Sequence, residues 1–238
     1  MKKPIPIISA LLLLACYGPQ KEASKKTEEP ILTYTVNTEK QQLQMFWKDN
    51  NDSIINTFER LEKHVKSQHK KLVFAMNGGM FMPDFSPQGL YIQNSIVQNP
   101  IDTGRGSGNF YLKPNGIFYI TRSKAVVCNT TDFLADSTIQ YATQSGPMLV
   151  ENGQIHPAFT KGSSNLHIRN GVGILPNGDV LFAMSKAKIN FYDFAQFFLS
   201  KGCQNALYLD GFVSRTYLPE KNYTPSDGRF GVMIGVLE

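Results

Sequence analysis

Four short segments of this chain set polar side chains beside glycines at the ends of apolar runs. They are Asn77-Gly78-Gly79-Met80-Phe81, Gln144-Ser145-Gly146-Pro147, Arg169-Asn170-Gly171-Val172-Gly173 and Asp210-Gly211-Phe212-Val213-Ser214-Arg215. Asp210 supplies a carboxylate able to act as base or nucleophile. Arg169 supplies a planar fork that matches two oxygens of a phosphate. The Asn77 amide, with Gly78 and Gly79 letting backbone N–H groups come close, supplies uncharged donors, and Ser145 and Gly146 add donors from a second direction. Ser214 and Arg215 follow the carboxylate. Read singly, each segment is an ordinary turn, because Asn-Gly and Asp-Gly tolerate positive φ and Gly-Pro punctuates loops. A serine nucleophile fits poorly: His64, His69, His156 and His167 include none in a Gly-x-Ser-x-Gly context that would partner Ser145. Asp84, Glu151 and Asp193 are secondary carboxylates, with Asp193 placed to complement a helix N-terminus. CxxC, HExxH and EF-hand patterns are all missing.

Elements that would position these groups are readable around them. Ile31 to Val36 alternates β-branched and aromatic residues as a strand does. Ser53 to Lys66 spaces Ile54, Phe58, Leu61 and Val65 helically, with Asp52 or Ser53 as N-cap. Leu72 to Met76 is a short continuous apolar run, fit for a strand buried on both faces, and it stops at Asn77. Asn115-Gly116, Asn152-Gly153 and Asn177-Gly178 each predict a hairpin turn. Asn190 to Lys201 carries Phe191, Phe194, Ala195, Phe198 and Leu199 on one helical face, capped by Asn190 and stopped by Gly202. Ala206 to Leu209 is a further buried strand ending at Asp210. The expected fold class is α+β: a mixed, largely antiparallel, hairpin-built sheet covered by helices.

The 238 residues are 42% apolar and 18% charged, which suits one globular domain and excludes a polytopic membrane protein. The net charge of +5 owes two units to Lys2 and Lys3 and is too small to imply a nucleic-acid partner. Lys2 and Lys3 precede an apolar run from Ile5 to Ala15, too short to span a bilayer but right for an export signal. It ends in Leu13-Leu14-Ala15-Cys16, which resembles the lipobox of bacterial lipoproteins; an ordinary secretory signal is the alternative. The division expected is therefore residues 1–15 as signal peptide, 16–30 as lipidated Cys16 with a flexible polar tether, and 31–238 as the folded domain. Acyl chains on Cys16 would hold the protein on a membrane. The location implied is the extracytoplasmic side of a bacterial envelope, with the outer membrane or periplasmic side favoured. Cys128 and Cys203 suit either one disulfide or two free thiols.

Taken in order, Phe74 to Phe81, Pro87-Gln88-Gly89-Leu90, Gln144 to Leu149, Arg169 to Gly173, Asn190 to Ala195 and Ala206 to Gly211 resemble successive blocks of a bacterial group in the phosphodiester glycosidase family. The resemblance covers about Leu72 to Glu238. It implies a hydrolase that cleaves a sugar-1-phosphodiester at the anomeric carbon and releases the sugar, with a phosphorylated glycan or glycolipid as substrate. A phosphate leaving group needs little protonation, so one carboxylate can suffice where ordinary glycosidases use two. On that reading Asp210, Arg169 and Asn77 are catalytic, and Gly78, Gly79, Ser145, Gly146, Ser214 and Arg215 bind substrate. No cofactor is required, with room left for a divalent cation such as calcium. Many relatives read Asp-Gly-Gly-Gly-Ser-Ser where this chain has Asp-Gly-Phe-Val-Ser-Arg, which favours as the alternative a non-catalytic lipoprotein that binds phosphoglycans. The residues set neither oligomeric state nor substrate identity.

Overall fold

The computed structural model describes residue 1, residues 29–210 and residues 213–238. The leader, Cys16, most of the tether and the pair Gly211-Phe212 lie outside the described residues. In chain order the strands and helices are β1 (Ile31–Val36), β2 (Gln42–Phe46), α1 (Phe58–Ser67), β3 (Leu72–Asn77), β4 (Tyr91–Gln93), β5 (Ile96–Asn99), β6 (Gly116–Thr121), β7 (Ala125–Asn129) and β8 (Ile139–Ser145). Then come β9 (Met148–Glu151), β10 (Gln154–Ile155), β11 (Asn170–Ile174), β12 (Val180–Ser185), α2 (Phe191–Ser200), β13 (Ala206–Asp210), β14 (Thr216–Tyr217) and β15 (Met233–Leu237).

The strands form three antiparallel sheets, ordered β1-β12-β11-β13-β9-β10, β14-β3-β15-β2 and β5-β4-β8-β6-β7. All three contribute to one central core. Phe74 and Ile234 come from the second sheet, Phe118 and Tyr141 from the third, and Val172, Phe182 and Leu207 from the first. Burying an apolar side chain of that size contributes ~1.5–3 kcal/mol, so this shared interior is what joins the sheets.

The expectation of an α+β fold with helices covering the sheet is overturned: the protein is mainly β, and the two α-helices among the described residues are ten residues each. Each helix covers the outer face of one sheet. Phe58, Leu61 and Val65 of α1 pack on the second sheet, and Phe194, Ala195 and Phe198 of α2 on the first. The inner faces pack against one another, sheet on sheet, and strand alternation supplies that core without a helix.

Two local expectations also change. Helix α1 begins at Phe58 with Thr57 as N-cap, and Ile54 lies outside it. The Asp49 carboxylate accepts from the N–H groups of Asn51 and Ser53, and a local turn of that kind competes with helix. Asn115-Gly116 is not a hairpin turn. Gly116 opens β6 because a Cβ there would lie 2.4 Å from Met148 Sδ and 2.7 Å from the Cys128 carbonyl, so the position serves close approach between sheets. Asn152-Gly153 and Asn177-Gly178 do turn the β9–β10 and β11–β12 hairpins. Cys128 and Cys203 are free thiols. Among the described residues no helix is long and apolar enough to cross a membrane.

Candidate active site

The four polar segments meet at the ends of β3, β8 and β13 and the start of β11. Their hub is Asn170. Val172 points into the central core, so Asn170, two residues earlier, points the same way. Its Nδ2 donates to the Asn77 carbonyl and to Asn77 Oδ1, both at 2.9 Å. Its Oδ1 accepts from the Asp210 N–H at 3.0 Å and lies 3.3 Å from Ser214 Oγ. One buried amide thereby ties three segments together with every donor and acceptor used. The signal for it was the alternation with Val172, but an asparagine beside Gly171 reads more readily as a turn residue.

Asn77 is itself wholly buried, and its Oδ1 also accepts from the Arg215 N–H at 2.8 Å. With two donors holding that oxygen, the amide cannot be turned over, and Nδ2 has no partner among the described residues. Leaving a buried donor unpaired costs ~1–3 kcal/mol, so the site carries a fixed, unmet demand for an oxygen acceptor.

Asp210 ends β13 and is 6% exposed. Ser214 Oγ sits among the Asp210 carbonyl, the Ile168 carbonyl at 3.2 Å and Asn170 Oδ1, with one proton to share between them. Ser145 donates to the Leu209 carbonyl at 2.7 Å, so its hydroxyl proton steadies the end of β13 and is not free for a ligand. A Cβ on Gly78 would meet Ile234 at 2.6 Å, one on Gly79 Thr143 Oγ1 at 2.6 Å, and one on Gly146 Asn115 Cβ at 2.7 Å. These glycines let the loops lie tightly on neighbouring strands, and the Gly78 N–H is already given to the Val232 carbonyl.

The guanidinium groups of the two arginines are committed to other partners. Arg169 is fully buried beneath α2, its guanidinium carbon 3.6 Å from the centre of the Phe191 ring. Nε donates to the Ile189 carbonyl, Nη2 to the Asn165 carbonyl and Nη1 to the Tyr208 hydroxyl. Phe191 stacks in turn on Phe159, and Phe159 on His156. Burial lowers Arg169 from its ordinary value, with Tyr208 opposing. Burial raises the Tyr208 phenol, Arg169 draws it back, and the charge on Asp210 raises it again, so Tyr208 stands electrostatically between the two. Arg169 is therefore not the open fork that its residue type suggests. The Arg215 guanidinium is paired with Asp227 by bonds of 2.6 and 3.0 Å and donates from Nη1 to the Ser214 carbonyl at 2.9 Å.

Of the secondary carboxylates, Asp84 closes a turn through Ser86, Glu151 accepts from Asn129, and Asp193 accepts from Asn190, whose own Oδ1 caps α2 through the Asp193 N–H. Among the described residues no three His, Cys, Asp or Glu side chains gather as a metal site.

The model of the phosphodiester glycosidase family matches residues 70–237, a span that holds all four segments. The chain belongs to that family. The chain is 38% identical over 194 residues to the uncharacterized protein YigE of Escherichia coli K12, covering 80% of this chain and 76% of that one. Among solved structures it is similar to the zebrafish N-acetylglucosamine-1-phosphodiester alpha-N-acetylglucosaminidase catalytic domain, auto-inhibited by its pro-peptide. That match has a TM-score of 0.59 at 13% identity, over 90% of this chain and 85% of that one. A hypothetical protein from Synechocystis matches with TM-score 0.57 at 14% identity over 87% of this chain, which spans 59% of that protein's length. At such identities the structural likeness shows the fold.

Proposed function

We propose that this member of the family hydrolyses the glycosidic bond of a sugar-1-phosphodiester, yielding the free sugar and a phosphomonoester. The observation that carries the reading is the pinned, unpartnered Asn77 amide, joined through Asn170 to the backbone of Asp210. A donor held where nothing among the described residues accepts from it suits an oxygen brought by a ligand, and the buried Asp210, tied by its N–H to the same Asn170 amide, suits attack or charge stabilisation at an anomeric carbon. Asp210 is the catalytic carboxylate in this reading and Asn77 the donor to a substrate oxygen. Arg169 positions: through Tyr208 and Phe191 it keeps a positive charge and a rigid wall behind the end of β13. The water that attacks leaves its oxygen on the sugar, and the phosphate departs with the electron pair of the broken C–O bond.

The lipobox reading of Leu13 to Cys16 places this activity on the extracytoplasmic face of a bacterial membrane, against phosphorylated glycans or glycolipids. Fatty-acid labelling of the full chain, lost in Cys16→Ser, tests the anchor. Activity is tested with the full chain in detergent and the methyl phosphodiester of N-acetylglucosamine 1-phosphate, alongside glucose and mannose equivalents. Release of free sugar from at least one supports the proposal; saturable binding of all with no release replaces it with the phosphoglycan-binding alternative.

A further inference from the structure

A phosphodiester carries a charge, yet both arginines that the polar segments supply are committed elsewhere, Arg169 to Phe191 and three neighbours and Arg215 to Asp227. Neither of these two side chains is a free cation. A third arginine, Arg105, lies on an exposed loop, Asp102 to Gly108, in which Gly104, Gly106 and Gly108 alternate with other residues. Its guanidinium has no hydrogen bond, ion pair or ring contact among the described residues.

The loop is firmly placed. At its start, Gln144 mimics a strand neighbour: its Oε1 accepts from the Asp102 N–H at 2.9 Å while its Nε2 donates to the Asp102 carbonyl at 2.7 Å. The Asp102 carboxylate holds the Gly104 N–H and the Tyr111 hydroxyl, each at 2.7 Å. Just past its far end, in the turn Asn109–Tyr111, a Cβ on Gly146 would lie 3.0 Å from the Phe110 carbonyl. The loop thus begins on Gln144 and leads into a turn that lies against Gly146, the two residues flanking Ser145. Thr103 and Gly104 line a cavity of about 710 Å³ with Gly89, Gln88, Ser86 and Tyr111. The Gln88 N–H is bonded to the Met80 carbonyl, so that cavity adjoins the Asn77 to Met80 turn.

We infer that Arg105, with the backbone of its glycine-rich loop, binds the phosphoryl group of the substrate. This deepens the reading above and rests on it for the identity of the ligand. The chemistry is that of a free guanidinium beside the backbone N–H groups of Gly106 and Gly108, the Gly104 N–H being held by Asp102, a combination that receives phosphate oxygens. The loop's rigid root would deliver it without closure of any other element. Arg122, which also lacks a described partner, serves as the control, because it lies in the β6–β7 turn at the opposite end of the sheet from Ser145.

The test is titration of the full, nitrogen-15-labelled chain with inorganic phosphate, glucose 1-phosphate and glucose, for the wild type and for Arg105→Ala, Arg105→Lys and Arg122→Ala. The expected result is movement of the Gly104, Gly106 and Gly108 amides by both phosphates. Arg105→Ala should weaken both by about tenfold or more, with Arg105→Lys intermediate and Arg122→Ala unchanged. Glucose binding should be the same in all four. A stronger effect on glucose 1-phosphate than on inorganic phosphate identifies the substrate's phosphoryl group as the ligand. Phosphates that leave the loop unmoved, or that bind Arg105→Ala as well as wild type, overturn the inference even if the sugar diester is hydrolysed. Phosphate binding at the loop without hydrolysis of any diester leaves the inference standing and removes the glycosidase reading instead.

Discussion

Arg169 and Asn170 are neighbours in the chain and face opposite sides of the first sheet. Asn170 turns inward and joins β3, β13 and the segment at Ser214 through four polar contacts. Arg169 turns outward under α2, where an aromatic ring and three acceptors hold it. The charged residue, which looks like the chemist of the pair, is the better packed. The uncharged one assembles the site. Alternation along a strand, which places successive side chains on opposite faces, decides which member of a polar pair meets the other segments.

The comparison predicts that changes on the Asn170 side affect turnover, with stability where the hub itself is removed, whereas changes on the Arg169 side affect stability first. The largest effect expected is Asp210→Asn, which should slow sugar release by about 10²–10⁴-fold while the thermal midpoint stays near that of wild type. Next, Asn170→Ala strips partners from the Asn77 oxygens and the Asp210 N–H, and urea unfolding should show a loss of about 3 kcal/mol. Arg169→Met keeps most of the packing on Phe191 but orphans the Ile189 and Asn165 carbonyls, for a loss of about 2 kcal/mol by the same measurement. Unchanged stability with abolished turnover in Arg169→Met would return that side chain to the chemistry and break the comparison.

The smallest effect concerns His156, at the far end of the aromatic stack. Burial lowers its pKa from the ordinary 6.5, so the unfolded chain takes up its proton first as the solution is acidified. Stability is then complete above about pH 6.5 and falls as pH drops through the interval between the unfolded and the lowered folded value. Urea midpoints measured between pH 7.5 and 5 should decline in wild type and decline less in His156→Asn.

Much of this was legible. Helix α2, with its asparagine cap and glycine stop, and strand β13, with its abrupt end at Asp210, follow from local pattern. So did the four polar segments, because glycines and polar groups at strand ends are visible residue by residue. The mainly β architecture was hidden since many short strands divided among separate sheets leave no long-range signal of which faces pack together. The commitment of Arg169 depends on Phe191, Tyr208 and Asn165, and that of Arg215 on Asp227, partners supplied only by tertiary structure. The free Arg105 was passed over for the same reason: its distinction is a lack of partners, which only the folded chain reveals.

The claim that this protein cleaves the bond between sugar and phosphate is tested most directly by hydrolysis of a sugar-1-phosphodiester in oxygen-18 water, with mass spectrometry of both products. The account predicts the heavy oxygen on the anomeric hydroxyl of the released sugar and an unlabelled phosphomonoester. Label in the phosphate would show cleavage of the phosphorus–oxygen bond and contradict it.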